Sequence, residues 1–214
     1  MVEVEIDGEK IKAEEGRPLL EVALDAGKPI PHFCYHKKLS VTASCRMCLV
    51  EVEKAPRLMP ACATQVTDGM VVHTDTEKVA AARKAVMEFL LINHPLDCPV
   101  CDQGGECRVQ DYSMAYGAGA SRYREEKRVV LVKDAGPLVS MQGMSRCIQC
   151  TRCIRFGEEI AGRAELGMVQ RGERAEVTTF PGKKIDSELS GNLVDVCPVG
   201  ALTSLPFRYK ARGW

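Results

Sequence analysis

The sequence predicts an α+β chain made of small domains built around metal sites. Three observations lead there. Residues 2–6, Val2-Glu3-Val4-Glu5-Ile6, alternate apolar and polar as a half-buried strand does. Val79, Ala82, Val86, Phe89 and Leu90 fall on one face at helical spacing. Eleven cysteines and one histidine sort into three sets of four, with no cysteine left over.

Length and composition set the outer bounds. The 214 residues suffice for one large domain or two to three small ones. An odd cysteine count would leave a free thiol in any disulfide-only scheme. The chain opens directly into a strand-like pattern with no targeting segment ahead of it, which favours a reducing compartment where thiolates bind metal. No apolar run reaches the roughly 18–20 residues that span a bilayer. Twenty-nine basic residues balance 29 acidic ones, so no charge excess draws the chain to nucleic acid.

Each element has its own local signal. Asp7-Gly8 is a hairpin turn between residues 2–6 and a return strand beginning at Lys10. Pro18 opens a helix over Leu19 to Ala26, and Gly27 stops it. Leu49–Glu53 alternates again, and Met70–His73 is a further apolar strand. Strand, strand, helix, strand, strand make a mixed fold of about 75 residues. Thr74 and Glu77 form a capping box for the next helix, which ends near His94-Pro95. Val129–Val132 reads as a strand, Thr151–Ile160 as a helix stopped at Gly162, and 166–180 as a hairpin around Arg171-Gly172-Glu173. The mixed run Arg122 to Arg128 reads as a solvated face.

The first set is Cys34, Cys45, Cys48 and Cys62. Four thiolates suit a [2Fe–2S] cluster or a tetrahedral zinc, and a Cys45–Cys48 dithiol lacks the βαβ setting it would need. Ser40, Thr42, Ala43 and Ser44 make a small polar loop whose backbone N–H groups can approach sulfide. The second set has three cysteines, Cys98, Cys101 and Cys107, with His94 as the nearest candidate for a fourth ligand; Asp97, Asp102 or water are the alternatives. The third set, Cys147, Cys150, Cys153 and the distant Cys197-Pro198, has the spacing of a [4Fe–4S] centre, which zinc rarely shares. His32, His36 and His73 read as ordinary polar residues. The chain shows no Rossmann glycine fingerprint and no P-loop.

Taken together, particular stretches resemble a known family. They are Pro31-His32-Phe33-Cys34-Tyr35, Cys45-Arg46-Met47-Cys48-Leu49-Val50-Glu51-Val52, Asn93-His94-Pro95-Leu96-Asp97-Cys98-Pro99-Val100-Cys101, Gly104-Gly105-Glu106-Cys107, Arg146-Cys147-Ile148-Gln149-Cys150-Thr151-Arg152-Cys153 and Cys197-Pro198-Val199-Gly200-Ala201-Leu202. In order along the chain, they resemble the N-terminal iron–sulfur region of the large peripheral subunit of NADH:quinone oxidoreductase, respiratory complex I.

The resemblance implies a ferredoxin-like β-grasp [2Fe–2S] domain over 1–77 with Cys34, Cys45, Cys48 and Cys62 as ligands. It implies a small helical [4Fe–4S] domain over 78–117, held by one histidine and three cysteines: His94, Cys98, Cys101 and Cys107. An α+β ferredoxin-like domain over 118–214 would hold a second [4Fe–4S] on Cys147, Cys150, Cys153 and Cys197. No catalytic residue is expected in the chain itself. Electrons would arrive from the flavin of an NADH-oxidising flavoprotein subunit and leave toward quinone. Other peripheral-arm subunits would be partners, nucleic acid would not, and membrane association would be indirect, at the cytoplasmic face of a bacterial inner membrane. The runner-up is the diaphorase iron–sulfur subunit of an NAD-linked hydrogenase or formate dehydrogenase.

Three departures from the family pattern stand out. Ala43 replaces a frequent glycine, so the loop is expected to avoid positive φ there. The segment from Gly136 to Arg146 is one residue longer near Gly143. The family's large molybdopterin-enzyme-like continuation lies beyond Trp214, so the chain is either a short form or a fragment.

Overall fold

A computed structural model describes residues 1–211. The chain divides into two compact units. The first comprises Met1–Tyr35, Ser40–Glu88 and Tyr116–Ala118. The second comprises His36–Leu39, Phe89–Ala115 and the chain from Gly119 onward.

The first unit is a five-stranded mixed sheet with one helix against it. Strand β1 (Val2–Ile6) pairs antiparallel with β2 (Glu9–Ala13), register Val2↔Ala13 to Ile6↔Glu9. Asp7 and Gly8 both take positive φ, 50° and 82°, as the tight two-residue hairpin turn demands. The other strands are β3 (Leu49–Val52), β4 (Met59–Pro60) and β5 (Met70–His73), and the order across the sheet is β2-β1-β5-β3-β4. Strand β1 runs parallel to β5, which requires a long crossover between them. Helix α1 (Leu19–Asp25) lies in that crossover and buries Leu19, Leu20, Val22 and Ala23. These side chains share one core with Val4, Ile6, Val50, Val66 and Val72, and with Cys48 and Cys62.

Helix α1 ends as its sequence dictates. Gly27 adopts φ +73°, its N–H bonds Leu24 O at 3.0 Å, and the Lys28 N–H reaches Ala23 O at 2.8 Å, the paired closure of a Schellman stop. At the other end, the Leu19 and Leu20 N–H groups bond the carbonyls of Thr64 and Ala61. The loop holding Cys62 is therefore fastened to the helix N-terminus.

Helix α2 (Glu77–Asn93) begins one device away from the expected one. Thr76, not Thr74, caps it: the Thr76 hydroxyl accepts from the Val79 N–H at 3.3 Å. Thr74 instead gives its N–H and hydroxyl to the Asp7 carboxylate at 2.7 and 2.6 Å. The face is also rotated from the expected one. Val79, Arg83 and Met87 are buried, while Phe89 is 75% exposed.

The second unit has short elements joined by long irregular chain. Helix α3 (Arg108–Tyr116) begins directly after Cys107. Strand β6 (Val139–Ser140) pairs with β9 (Thr203–Ser204). Strands β7 (Leu166–Val169) and β8 (Glu176–Thr179) form the expected hairpin, Leu166↔Thr179 to Val169↔Glu176. Helix α4 (Arg152–Arg155) continues as a π-helical turn over Phe156–Ile160, and Gly162 at φ +66° follows it. Helix α5 (Asn192–Val196) leads into Cys197. The strand expected at 129–132 does not form. Only Val130 is buried there, and its N–H is taken by the Ser145 hydroxyl at 2.9 Å, so no sheet partner is needed.

Candidate iron–sulfur sites

The first unit gathers Cys34, Cys45, Cys48 and Cys62. Cys34, Cys48 and Cys62 are buried, and Cys45 is partly exposed. Their thiols hydrogen-bond one another in a chain: Cys34 with Cys45 and Cys62, and Cys62 with Cys48. The Cys34 N–H also points to Cys45 Sγ at 3.4 Å. Cys34, the thiol that accepts from Cys45 and then Cys62, is held far below the ordinary thiol range, and its donors Cys45 and Cys62 are pushed up. The Ala61 N–H bonds Cys48 O at 3.0 Å, so strands β3 and β4 set two of the sulfurs side by side.

The loop around Cys45 corrects one expectation. Ala43 takes φ +50° and Arg46 takes φ +58°. The loop does use the left-handed region, without glycine, at roughly 1–2 kcal/mol per residue. Left-handed residues among right-handed or extended neighbours turn successive N–H groups inward, the concave arrangement that suits a cluster's sulfides.

In the second unit, His94, Cys98, Cys101 and Cys107 line one cavity of about 320 Å³ with Gly104, Gly105 and Gly200. Helix α2 ends at Asn93 and hands over His94, whose N–H still bonds Leu90 O at 3.3 Å. Cys98 opens a 3-10 turn, Cys98–Val100, and Cys107 stands just before α3. Burial lowers the His94 pKa and keeps the ring neutral, the form a metal requires. Its Nδ1 is buried without a hydrogen-bond partner, while the ring's polar neighbour is the backbone of Arg146. A buried nitrogen with no protein partner, on a side chain that lines the same cavity as three thiols, fits a metal ligand.

Residues from the third set's segments complete the second. A Cβ on Gly200 would overlap Cys101 Sγ. Gly143 is equally constrained, since its Cβ would lie 2.5 Å from Gly200 O.

Cys147, Cys150, Cys153 and Cys197 line a small cavity with Val177, Pro198 and Leu202. Burial pushes Cys147 up to about 12 and Cys150 to about 11, and raises Cys153 and Cys197 as well. As thiolates they would need a metal's charge or nearby cations. Arg152 and Arg155, both buried, stand beside them and lower Cys150 against that trend; Arg155 Nη2 donates to Cys150 O at 3.1 Å. Gln149 and Thr151 flank Cys150 with φ +55° and +59°. Thr151 is β-branched and therefore strained there, and its hydroxyl accepts from Arg155 Nε at 3.3 Å.

Among the described residues, no three His, Cys, Asp or Glu close around a point as ligands of a single ion would. The other histidines have local roles: His32 Nδ1 lies 2.9 Å from Ile30 O, and His73 Nε2 lies 3.2 Å from Glu53. Sequence reasoning missed Arg83, Arg146, Arg152, Arg155 and Gly200. One signal was available for Arg83: a charged residue standing between Val79 and Met87 on the helical face.

Family models match the chain in three consecutive stretches. Residues 1–77 match a 2Fe-2S iron-sulfur cluster binding domain, 83–122 the NADH-ubiquinone oxidoreductase-G iron-sulfur binding region, and 136–203 the ferredoxin-like domain of NADH-quinone oxidoreductase subunit 3. All 214 residues align at 54% identity with the G subunit of NADH-quinone oxidoreductase from Rickettsia conorii. The chain matches the iron–sulfur region of this G-subunit family. The mitochondrial NADH dehydrogenase [ubiquinone] iron-sulfur protein 1 of Solanum tuberosum is likewise 54% identical over the whole chain. The chain spans about a third of these relatives, 32% and 29% of their lengths. A chain in a crystal structure of NAD+-reducing [NiFe]-hydrogenase superposes with a TM-score of 0.87 at 27% identity, covering 98% of this chain and 90% of that one. The fold is thus ferredoxin-like, with 2Fe–2S and 4Fe–4S binding regions. Among the described residues no helix is long and apolar enough to cross a membrane.

Proposed function

We propose that this chain is an electron-transfer element of NADH:quinone oxidoreductase, carrying electrons from a partner subunit's flavin through three iron–sulfur clusters toward quinone. The observation that supports it most is the succession of three iron–sulfur matches along a chain 54% identical throughout to the Rickettsia conorii relative. The three domains are 1–77, 78–117 and 118–214. Cys34, Cys45, Cys48 and Cys62 would hold one [2Fe–2S] cluster. His94, Cys98, Cys101 and Cys107 would hold one [4Fe–4S], and Cys147, Cys150, Cys153 and Cys197 a second.

When bound, such clusters supply one-electron carriers. The chain's own residues supply thiolates, a neutral imidazole at His94, inward-turned backbone N–H groups and apolar walls that keep water away. No residue of this chain performs bond chemistry, so enzyme activity belongs to the assembly, with the NADH-oxidising flavoprotein and other peripheral-arm subunits as partners. Membrane attachment is indirect, at the cytoplasmic face of a bacterial inner membrane.

The resemblance to the hydrogenase chain favours a second reading, a diaphorase iron–sulfur subunit of an NAD-linked hydrogenase or formate dehydrogenase. Gentle purification of the tagged chain from its host separates the two. Membrane-embedded subunits together with a flavoprotein support the first, and a soluble nickel–iron or formate dehydrogenase partner replaces it with the second. The anaerobic protein should be brown and carry about 10 irons with acid-labile sulfide. A colourless protein with about three zincs and no sulfide refutes both.

A further inference from the structure

The charged side chains buried among the described residues are four arginines, Arg83, Arg146, Arg152 and Arg155, with no buried carboxylate beside them in the core. Arg146 is answered by Asp97 at 2.6 Å. Arg83 is different. It projects from α2 into the first unit with 3% exposure. Its Nε has no hydrogen-bond partner, and Nη2 reaches Leu49 O only at 3.4 Å. The guanidinium lies 5.3 Å from the centre of the Tyr116 ring. The titratable groups that face it are Tyr116, which also hydrogen-bonds it, Asp75 and Cys48, and none of the three forms an ion pair with it.

Burying a guanidinium without an anion costs several kcal/mol, and an arginine always carries its charge. A helix face otherwise built from Val79 and Met87 has no packing need for one. Asp75 is exposed and forms no ion pair with Arg83, whereas Nη2 already reaches Leu49 O, next to Cys48, so the geometry directs the guanidinium toward the first cysteine set.

We propose that Arg83 is the buried counter-ion of the first cysteine set: a positioning residue that steadies the Cys48–Leu49 backbone and, by its charge, raises the reduction potential of the cluster held there. This rests on the reading that Cys34, Cys45, Cys48 and Cys62 hold a [2Fe–2S] cluster. Reduction adds negative charge beside a fixed cation, so the cation favours the reduced form. A hydrogen bond alone would not depend on the charge.

The test is a redox titration of the [2Fe–2S] signal by electron paramagnetic resonance in the intact assembly, with iron and sulfide counted in each sample. Arg83→Met and Arg83→Gln, the second keeping hydrogen-bonding capacity, are compared with Arg83→Lys. The expected result is full iron content with the reduction constant lowered about tenfold in the two neutral variants, a fall of about 59 mV for one electron, and within about threefold of the parent in Arg83→Lys. A neutral variant with full iron and an unmoved potential overturns the proposal. So does a lysine variant that shifts as far as the neutral ones. If Arg83→Met fails to accumulate, Arg83→Gln decides alone. An unmodified protein with no [2Fe–2S] signal would instead overturn the cluster reading itself, which is a distinguishable failure.

Discussion

Arg146 grips Asp97 with two nitrogens, Nε at 3.0 and 3.2 Å and Nη2 at 2.6 Å, and gives its remaining Nη1 to Gly200 O at 3.1 Å. Asp97 precedes Cys98, Arg146 precedes Cys147, and Gly200 follows Cys197, so one side chain ties together the segments that carry two cysteine sets. Arg146 is 8% exposed, which places this bond out of reach of solvent screening on the arginine side.

Removing one partner of such a pair leaves the other uncompensated. Arg146→Met should destabilise the protein by about 2 kcal/mol, less than for a fully buried pair because the Asp97 side chain is 35% exposed. Denaturant unfolding followed by circular dichroism measures it. Iron analysis of the same variant should show depletion beyond a single set, and a loss under about 1 kcal/mol would mean the bond contributes no more than a surface pair.

Gly200 offers a more local perturbation. A Cβ at Gly200 would overlap Cys101 Sγ and lie 3.2 Å from Gln103 Cβ, so Gly200→Ala should displace the Cys101 side chain from the second set. The expected outcome is loss of about four irons of about ten, with the first set's signal retained. Full iron content in this variant would show that the Cys101 side chain can turn away without consequence.

Ala43 predicts a gain. Glycine removes the steric cost at φ +50° while adding freedom to the unfolded chain. Ala43→Gly should therefore raise stability by up to about 1 kcal/mol, visible as a higher melting temperature with unchanged iron. A drop in melting temperature would show that alanine's methyl, which packs against the first unit's core, outweighs the backbone strain.

Cys150→Ser tests the direction of flow. It should remove the third set's cluster and stop NADH-driven quinone reduction, while reduction of a soluble dye at the partner's flavin continues. Equal loss of dye reduction in an intact assembly would place this site upstream of the flavin rather than downstream.

Local patterns made the first unit legible. Alternation around Asp7-Gly8 yields β1 and β2, Pro18 and Gly27 frame α1, and Met70–His73 forms β5 at the expected residues. Short-range signals failed where a distant partner intervened. Thr74 was drawn from capping by Asp7, 67 residues away. The strand expected at Val129–Val132 gave way to a single hydroxyl at Ser145. The cysteine spacing grouped the residues that line the two cavities of the second unit, because ligand spacing is chemistry written along the chain. Of the buried arginines only Arg83 left a linear trace, its place between Val79 and Met87 on the helical face; Arg146, Arg152 and Arg155 are enclosed by distant chain that no local pattern marks.

The Gly200 contact also bears on how the protein is made. The second set's cysteines are all synthesised by residue 107, yet the wall that closes over Cys101 is translated nearly a hundred residues later. A chain that ends before residue 197 would lack both that wall and the fourth cysteine of the third set.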